Sequence, residues 1–268
     1  MLPESAPLQS PIASVPTPPK VDVVGVPISR TDYTAVVEWI DEMVRARLRG
    51  YVCVCNVHSV MASSDDAALR AALAGSSVNV PDGQPLVWAM KALGHHLDDR
   101  VYGPELMLRA CAHAVSAGQR FYLYGGHDSQ ALAQLELSLC RRFPGLKIVG
   151  GYSPPHRELT AQERDRLVRA INDANVDVLW VGIGVPKQEK WMASMRPLLN
   201  APVLIGVGAA FDFHAGLISQ APRRLQIAGL EWAYRLGREP RRLWRRYLKY
   251  NPRFVVAFCR QWLAHSRR

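Results

Sequence analysis

The chain is short of the features that would assign its class at once. Its longest apolar run, residues 201–211, is interrupted by Pro202, Gly206 and Gly208. It falls well below the roughly 20 residues a spanning helix needs, so a transmembrane protein is not expected. The five cysteines (Cys53, Cys55, Cys111, Cys140, Cys259) include no C-x-x-C pair and are odd in number. Cys53 and Cys55 share one face of a strand-like run, which predicts buried free thiols rather than a metal site, and a reduced, cytoplasmic compartment. No segment reads G-x-G-x-x-G or G-x-x-x-x-G-K-[ST], so dinucleotide and P-loop readings lose their main support. Asp65-Asp66 and Asp98-Asp99 are adjacent pairs with no D-x-D, which leaves a divalent ion without a visible anchor. The N-terminus has neither a basic region nor an uninterrupted apolar core, so no secretory signal is expected. Six of the nineteen prolines fall in its first nineteen residues, which predicts a disordered arm over 1–20.

Acidic residues are scarce in one place. Residues 223–268 hold thirteen Lys/Arg against two acids, a net of +11 in a chain of net +10, so the first 222 residues carry −1. Leu243, Trp244, Tyr247 and Leu248 are expected on one helical face and Arg241, Arg242, Arg245, Arg246 and Lys249 on the other. Phe254, Val255, Phe258, Cys259, Trp262 and Leu263 repeat the apolar spacing after Pro252. Such a stretch suits an anionic surface, whether lipid headgroups, a polyphosphate or nucleic acid. The plain alternative is a packed helix with a solvated basic face.

At 268 residues and 49% apolar, the chain is long enough for a sizeable core. Continuous apolar runs predict strands at 21–26, 51–56, 77–80, 120–126, 146–151, 177–184 and 202–208. Helical periodicity predicts helices at 31–48, 65–74, 84–93, 104–117, 129–143, 160–172 and 187–199. This alternation indicates an α/β fold with a largely parallel sheet covered on both faces. Glycines end three strands: Gly125-Gly126, Gly182/Gly184 and Gly206/Gly208. In an open parallel sheet the ligand crevice lies beyond the carboxyl ends of the strands, and glycine lets a ligand approach the backbone, which points to a nucleotide or phosphate site. Tight turns without a ligand use glycine too.

Asp82 follows a strand and precedes a helix, where a carboxylate serves either as a general base or as a turn acid. Asn56 and His58 occupy the same sheet edge, where each could orient a sugar hydroxyl or satisfy loop backbone. Lys187, Gln188 and Glu189 start a helix after a glycine-ended strand, a position suited to phosphate and to a base or ribose. Lys190 and Trp191 are expected on that helix's surface and in its core. Asp212 and His214 lie in a glycine-bounded loop.

With Asp82, PKQE, GVGAAFDFHAG and GLEWAYRLGREPRRLWRRYLKYNPRF in place, the chain closely resembles the WecG/TagA/CpsF family of bacterial glycosyltransferases from about Val21 to Phe254. The elements occur together in the family's order. The resemblance implies a Rossmann-like core over 21–221 and a basic helical, membrane-associating appendage over 222–268. It implies an inverting, metal-independent enzyme without a cofactor that moves a hexose from a UDP-sugar to a polyprenyl-diphosphate-linked sugar at the inner face of the cell membrane. The hexose is of N-acetylmannosamine or glucose type, and the product feeds cell-surface polysaccharide or teichoic acid. By the same comparison Asp82 is the catalytic base. Asn56 belongs to the acceptor or sugar pocket, and Gln188 and Glu189 to the nucleotide pocket; Gly184, Lys187, Gly206, Gly208 and Asp212, placed at the strand ends beside them, are also expected to bind substrate. Arg235, Arg242 and Arg246 meet the diphosphate or the membrane. Cys55 and Val54 stand where many members carry Pro and a hydroxyl residue, and Gln84 and Pro85 replace small apolar residues, so no member's donor is carried over. A basic nucleic-acid-binding α/β protein is the alternative, with Trp244, Tyr247 and Tyr250 as stacking residues; it leaves Asp82 and the glycine-ended strands without a role.

Overall fold

The structure, a computed structural model, describes residues 14–267. Most of the expected N-terminal arm lies outside the described residues, although Val15 already packs on the core. The chain opens with β1 (Lys20–Val23) and β2 (Val26–Ser29), then α1 (Tyr33–Arg45), β3 (Gly50–Cys55), α2 (Val57–Asp65) and α3 (Ala67–Ala74). Next come β4 (Val78–Pro81), α4 (Gln84–Ala92), α5 (Gly103–Ala117), β5 (Arg120–Gly125), α6 (Ser129–Arg142), β6 (Lys147–Tyr152) and α7 (Ala161–Asp173). β7 (Val178–Gly182), α8 (Lys187–Met195), β8 (Val203–Gly206) and α9 (Ala210–His214) complete the alternation, and α10 (Arg223–Ile227), α11 (Glu231–Arg238) and α12 (Pro240–His265) follow.

Six strands form one sheet in the order β4-β3-β8-β7-β5-β6, with every neighbouring pair parallel. Successive strand residues face opposite sides. Tyr51, Cys53 and Cys55 accordingly belong to one core layer with Leu179, Val181 and helices α2, α3, α4 and α8, while Val52, Val54, Phe121, Trp180 and Ile205 belong to the other with α1, α5 and α6. Burial on both faces explains why these strands are apolar without alternation. The α/β expectation holds.

Three sequence expectations change. Residues 21–26 are not one strand: the chain reverses at Val24 and Gly25, both at positive φ, so β1 and β2 pair antiparallel as a separate hairpin. The segment after β3 is helical, because Asn56 caps α2 with its side chain and Ser59 returns the bond to the Asn56 backbone. The Asp212/His214 loop is the short helix α9.

The appendage also differs in its facing. Leu243 and Phe254 are buried, whereas Trp244 and Leu248 are 47% and 69% exposed. Trp244 and Leu248 thus share the outer surface with Arg241, Arg245 and Lys249 instead of opposing them. A long helix lying on a convex body buries only a narrow strip, and Leu243, Phe254 and the half-buried Tyr247 and Tyr250 fill it here. α12 continues through Pro252, which occupies an exposed position.

Candidate active site

Strands β3, β4, β5, β7 and β8 all deliver their carboxyl ends to one edge of the sheet, where a cleft of about 1150 Å³ opens. Asp82 lies at one end of it, immediately after β4. Asn56, Gly184, Lys187, Gln188, Gly208 and Asp212 line the same cleft, and Arg235 and Arg246 reach it from the appendage. Glu189 and Gly206 do not reach it. Glu189 is fully buried behind Gln188, and Gly206 lies beneath the Gln188 amide, 3.1 Å from Nε2 to the position a Cβ would take. The side chain of Arg242 lies outside the described residues.

A second chamber of about 310 Å³ meets the first at Asp82, and Asn56, His58, Glu231, Arg235 and Arg246 border both. Its outer part is lined by Val57, Pro85, Trp232, Tyr247, Phe254 and Val255, so α4 forms one wall and the appendage the roof. Asp82 therefore lies between a polar cleft and an apolar one.

The Asp82 carboxyl is held by local backbone. Its Oδ1 accepts from the Gly103 N–H at 3.0 Å, and its own N–H donates to the Cys55 carbonyl at 2.7 Å, which ties β4 to β3. Burial pushes the carboxyl up to about 6; Arg100 and Arg235 act against that shift and Glu231 adds to it. Arg100 donates to the Asp82 carbonyl at 3.3 Å and to Gln226 at 2.9 Å, pairs with Glu231 at 2.7 Å, and lies 4.2 Å over the Tyr102 ring. One buried guanidinium thus joins Asp82 to α10 and α11. Burial, with Arg246 and Lys249 nearby, lowers His58 to about 4, so this ring is neutral near pH 7.

Arg100, Tyr102 and Glu231 escaped the sequence reading. Arg100 stands next to Asp98-Asp99, and Glu231, within the GLEWAYRLGREP element, lies far away in sequence, so no local pattern joins them. Lys190 is on the surface and Trp191 packs against the core, as expected, and each has a further place. Both line the cleft: Lys190 pairs with Asp66 at 2.9 Å, and Trp191 stacks on Tyr124 with centroids 4.0 Å apart. His214 binds the Pro104 carbonyl at 2.9 Å, a structural role. Asn56 has a structural duty besides lining the cleft, since its Oδ1 accepts from the His58 and Ser59 N–H groups at 3.0 and 3.2 Å. Among the described residues no three His, Cys, Asp or Glu side chains cluster as a metal cage.

Chemically, the arrangement offers a carboxylate with raised proton affinity beside arginines and glycine-bounded backbone. That combination suits proton removal from a hydroxyl and stabilisation of a departing anion. The family model described as glycosyl transferase WecG/TagA/CpsF family matches residues 21–268. Among curated proteins, the chain is 25% identical over 237 residues to the N-acetylglucosaminyldiphosphoundecaprenol N-acetyl-beta-D-mannosaminyltransferase of Bacillus subtilis strain 168, covering 88% of this chain and 90% of that one. It is 31% identical over 201 residues to the protein of the same description from Bacillus spizizenii, covering 74% and 72%. Neither comparison supports the nucleic-acid reading.

Proposed function

The chain belongs to the WecG/TagA/CpsF family of glycosyl transferases, and from that premise we propose that it transfers an N-acetylmannosamine-type hexose from a UDP-sugar to N-acetylglucosamine linked to a polyprenyl diphosphate, with inversion. The enzyme is a glycosyltransferase. The observation that carries the reading is the junction at Asp82, where the polar cleft suits a nucleotide sugar and the apolar chamber suits the acceptor's lipid end.

In this reading Asp82 takes the proton of the acceptor sugar hydroxyl. The freed oxygen attacks the anomeric carbon while the bond to the β-phosphate oxygen breaks on the opposite face, releasing UDP. Arg235 and Arg246, with the N–H groups around Gly184 and Gly208, stabilise the diphosphate charge, and Lys187 adds a cation at the cleft's edge. Gln188 and Asp212 orient the donor, and Asn56 orients a sugar while capping α2. Residues 21–221 act as the catalytic core. Residues 222–268 act as an appendage that covers the site and meets the inner membrane face as a peripheral element, since no described helix is long and apolar enough to cross a bilayer. Trp244, Leu248, Val256 and Leu263, each 47% to 69% exposed among basic side chains, support that contact.

The test is UDP release with short-chain polyprenyl-diphosphate-linked N-acetylglucosamine or glucose, against UDP-N-acetylmannosamine, its uronic acid and UDP-glucose. Release confined to the N-acetylmannosamine donor and N-acetylglucosamine acceptor is expected; efficient turnover with UDP-glucose alone would overturn the donor assignment.

A further inference from the structure

Gln188 and Glu189 are adjacent on α8 and both essentially inaccessible, at 1% and 0% exposure. Gln188 Nε2 donates to Glu189 Oε1 at 2.9 Å. Among the described residues, Gln188 Oε1 and Glu189 Oε2 have no hydrogen-bond partner. The inward bond to Glu189 and two neighbouring glycines locate the Gln188 amide. A Cβ on Gly206, at the buried end of β8, would lie 3.1 Å from Nε2, while one on Gly208, which lines the cleft, would lie 3.4 Å from Oε1, the nearer amide atom, against 3.9 Å from Nε2. The amide therefore turns its nitrogen inward and its oxygen toward the cleft.

Glu189 supplies the inward acceptor. It stands behind the sheet edge near the thiols of Cys53 and Cys55, and its burial pushes the carboxyl up to about 7. A buried acid without a paired cation is costly to keep, and an unpartnered buried amide oxygen is costly until something donates to it. Both costs have one explanation if the oxygen is held ready for a ligand.

We propose that Glu189 is a positioning residue that pins the Gln188 amide so that Oε1 accepts a hydrogen bond from an N–H of the bound donor. The reading of the cleft as a nucleotide-sugar site underlies this inference. Two N–H groups of such a donor qualify, the imide of the uracil base and the 2-acetamido group of the sugar. Without Glu189 the amide loses its inward acceptor and turns its NH₂ to the cleft, where it confronts the ligand's N–H instead of accepting from it.

The experiment is a double-mutant cycle on the full-length chain, read as dissociation constants for UDP, UDP-N-acetylmannosamine and UDP-glucose by calorimetry. Gln188→Ala and Glu189→Met are each expected to weaken UDP-N-acetylmannosamine by about three- to tenfold, the range of one net hydrogen bond. Because Glu189 acts only through Gln188, Glu189→Met is expected to add no loss in the Gln188→Ala background. Glu189→Gln preserves shape should the methionine variant misfold. It is expected to lose less than Glu189→Met, since a second amide holds Gln188 in either orientation, and again to add nothing to Gln188→Ala. A loss shared by all three ligands assigns the uracil imide, and a loss confined to UDP-N-acetylmannosamine assigns the acetamido group. Additive losses, or a wild-type affinity in Glu189→Met, would overturn the inference while leaving the donor site standing. Failure of the wild-type chain to bind any of the three would remove the donor reading itself and the inference with it.

Discussion

A carboxyl that must take a proton from a sugar hydroxyl near neutrality works best when its own proton affinity approaches the working pH. In the proposed transfer Asp82 would meet that demand by burial, with Arg100 and Arg235 restraining the shift that Glu231 reinforces. The base must be ionised to act, so kcat/KM is expected to fall as pH drops through about 6, and a pH-rate profile checks this. In Arg100→Met one restraining cation is lost, and the acid limb is expected to move to higher pH with lower turnover at pH 7. An unmoved limb would separate Arg100 from the base. At this scale position alone left Asp82 between a general base and a turn acid, because both stand directly after an apolar strand; the resemblance implied the base, and the structure puts the residue on the lining of both chambers. Arg100 and Glu231 stayed hidden because their meeting depends on how the appendage folds back, which no local pattern encodes. Glu189 was misplaced because the helix-start position of Lys187, Gln188 and Glu189 does not reveal which side chains face the cleft and which face the sheet.

The inner strands β3, β5, β7 and β8 were legible as elements because burial on both faces leaves them largely apolar, whereas the 21–26 hairpin was read as one strand and α2 was missed. Its nine residues bury Ser59 and Ser63 as well as Val60 and Met61, so its apolar periodicity is weak. α12 was legible as a helix but not in its orientation. Its 26 residues span about 39 Å. They are fastened to the body at separate points. Leu243 and Phe254 are buried, Arg253 forks onto Asp65 with both contacts at 2.7 Å, and Lys249 joins the same carboxylate at 2.9 Å. Near its end Gln261 bonds the β1–β2 turn, accepting from the Val24 N–H and donating to the Asp22 carbonyl, each at 2.8 Å. Phe254 also lines the apolar chamber. Phe254→Ala is therefore expected to weaken docking of α12 by about 3–5 kcal/mol, the usual range for truncating a buried phenylalanine. Hydrogen exchange should accelerate along α12 while β3 and β8 remain protected, and turnover should fall. Equal acceleration throughout the sheet would mean that the appendage is not a separable element.

For the molecule as a whole, charge is the organising quantity: a core close to neutral carries an appendage of net +11. The exposed face of α12 mixes apolar and basic side chains, the composition of an interfacial helix. Binding to vesicles containing anionic lipid is expected to exceed binding to neutral vesicles and to decline with salt. Leu248→Glu combined with Trp262→Glu should reduce it without changing UDP-sugar affinity, which cosedimentation and calorimetry would check together. Equal binding to neutral and anionic vesicles would contradict an electrostatic attachment.

In the proposed reaction Asp82, at the meeting of the two chambers, is the base of a glycosyl transfer. The most direct test of that role is UDP release from UDP-N-acetylmannosamine and the polyprenyl-diphosphate-linked N-acetylglucosamine acceptor, with EDTA and liposomes present, in wild type and Asp82→Asn. Asparagine retains an oxygen for the Gly103 N–H and removes a carboxylate whose ionisation burial opposes, so the variant should melt no lower than wild type at pH 7. The variant is expected to fold, bind the donor and release UDP at least about 100-fold more slowly, in line with the loss of a general base. A folded Asp82→Asn enzyme that turns over at the wild-type rate would contradict that role.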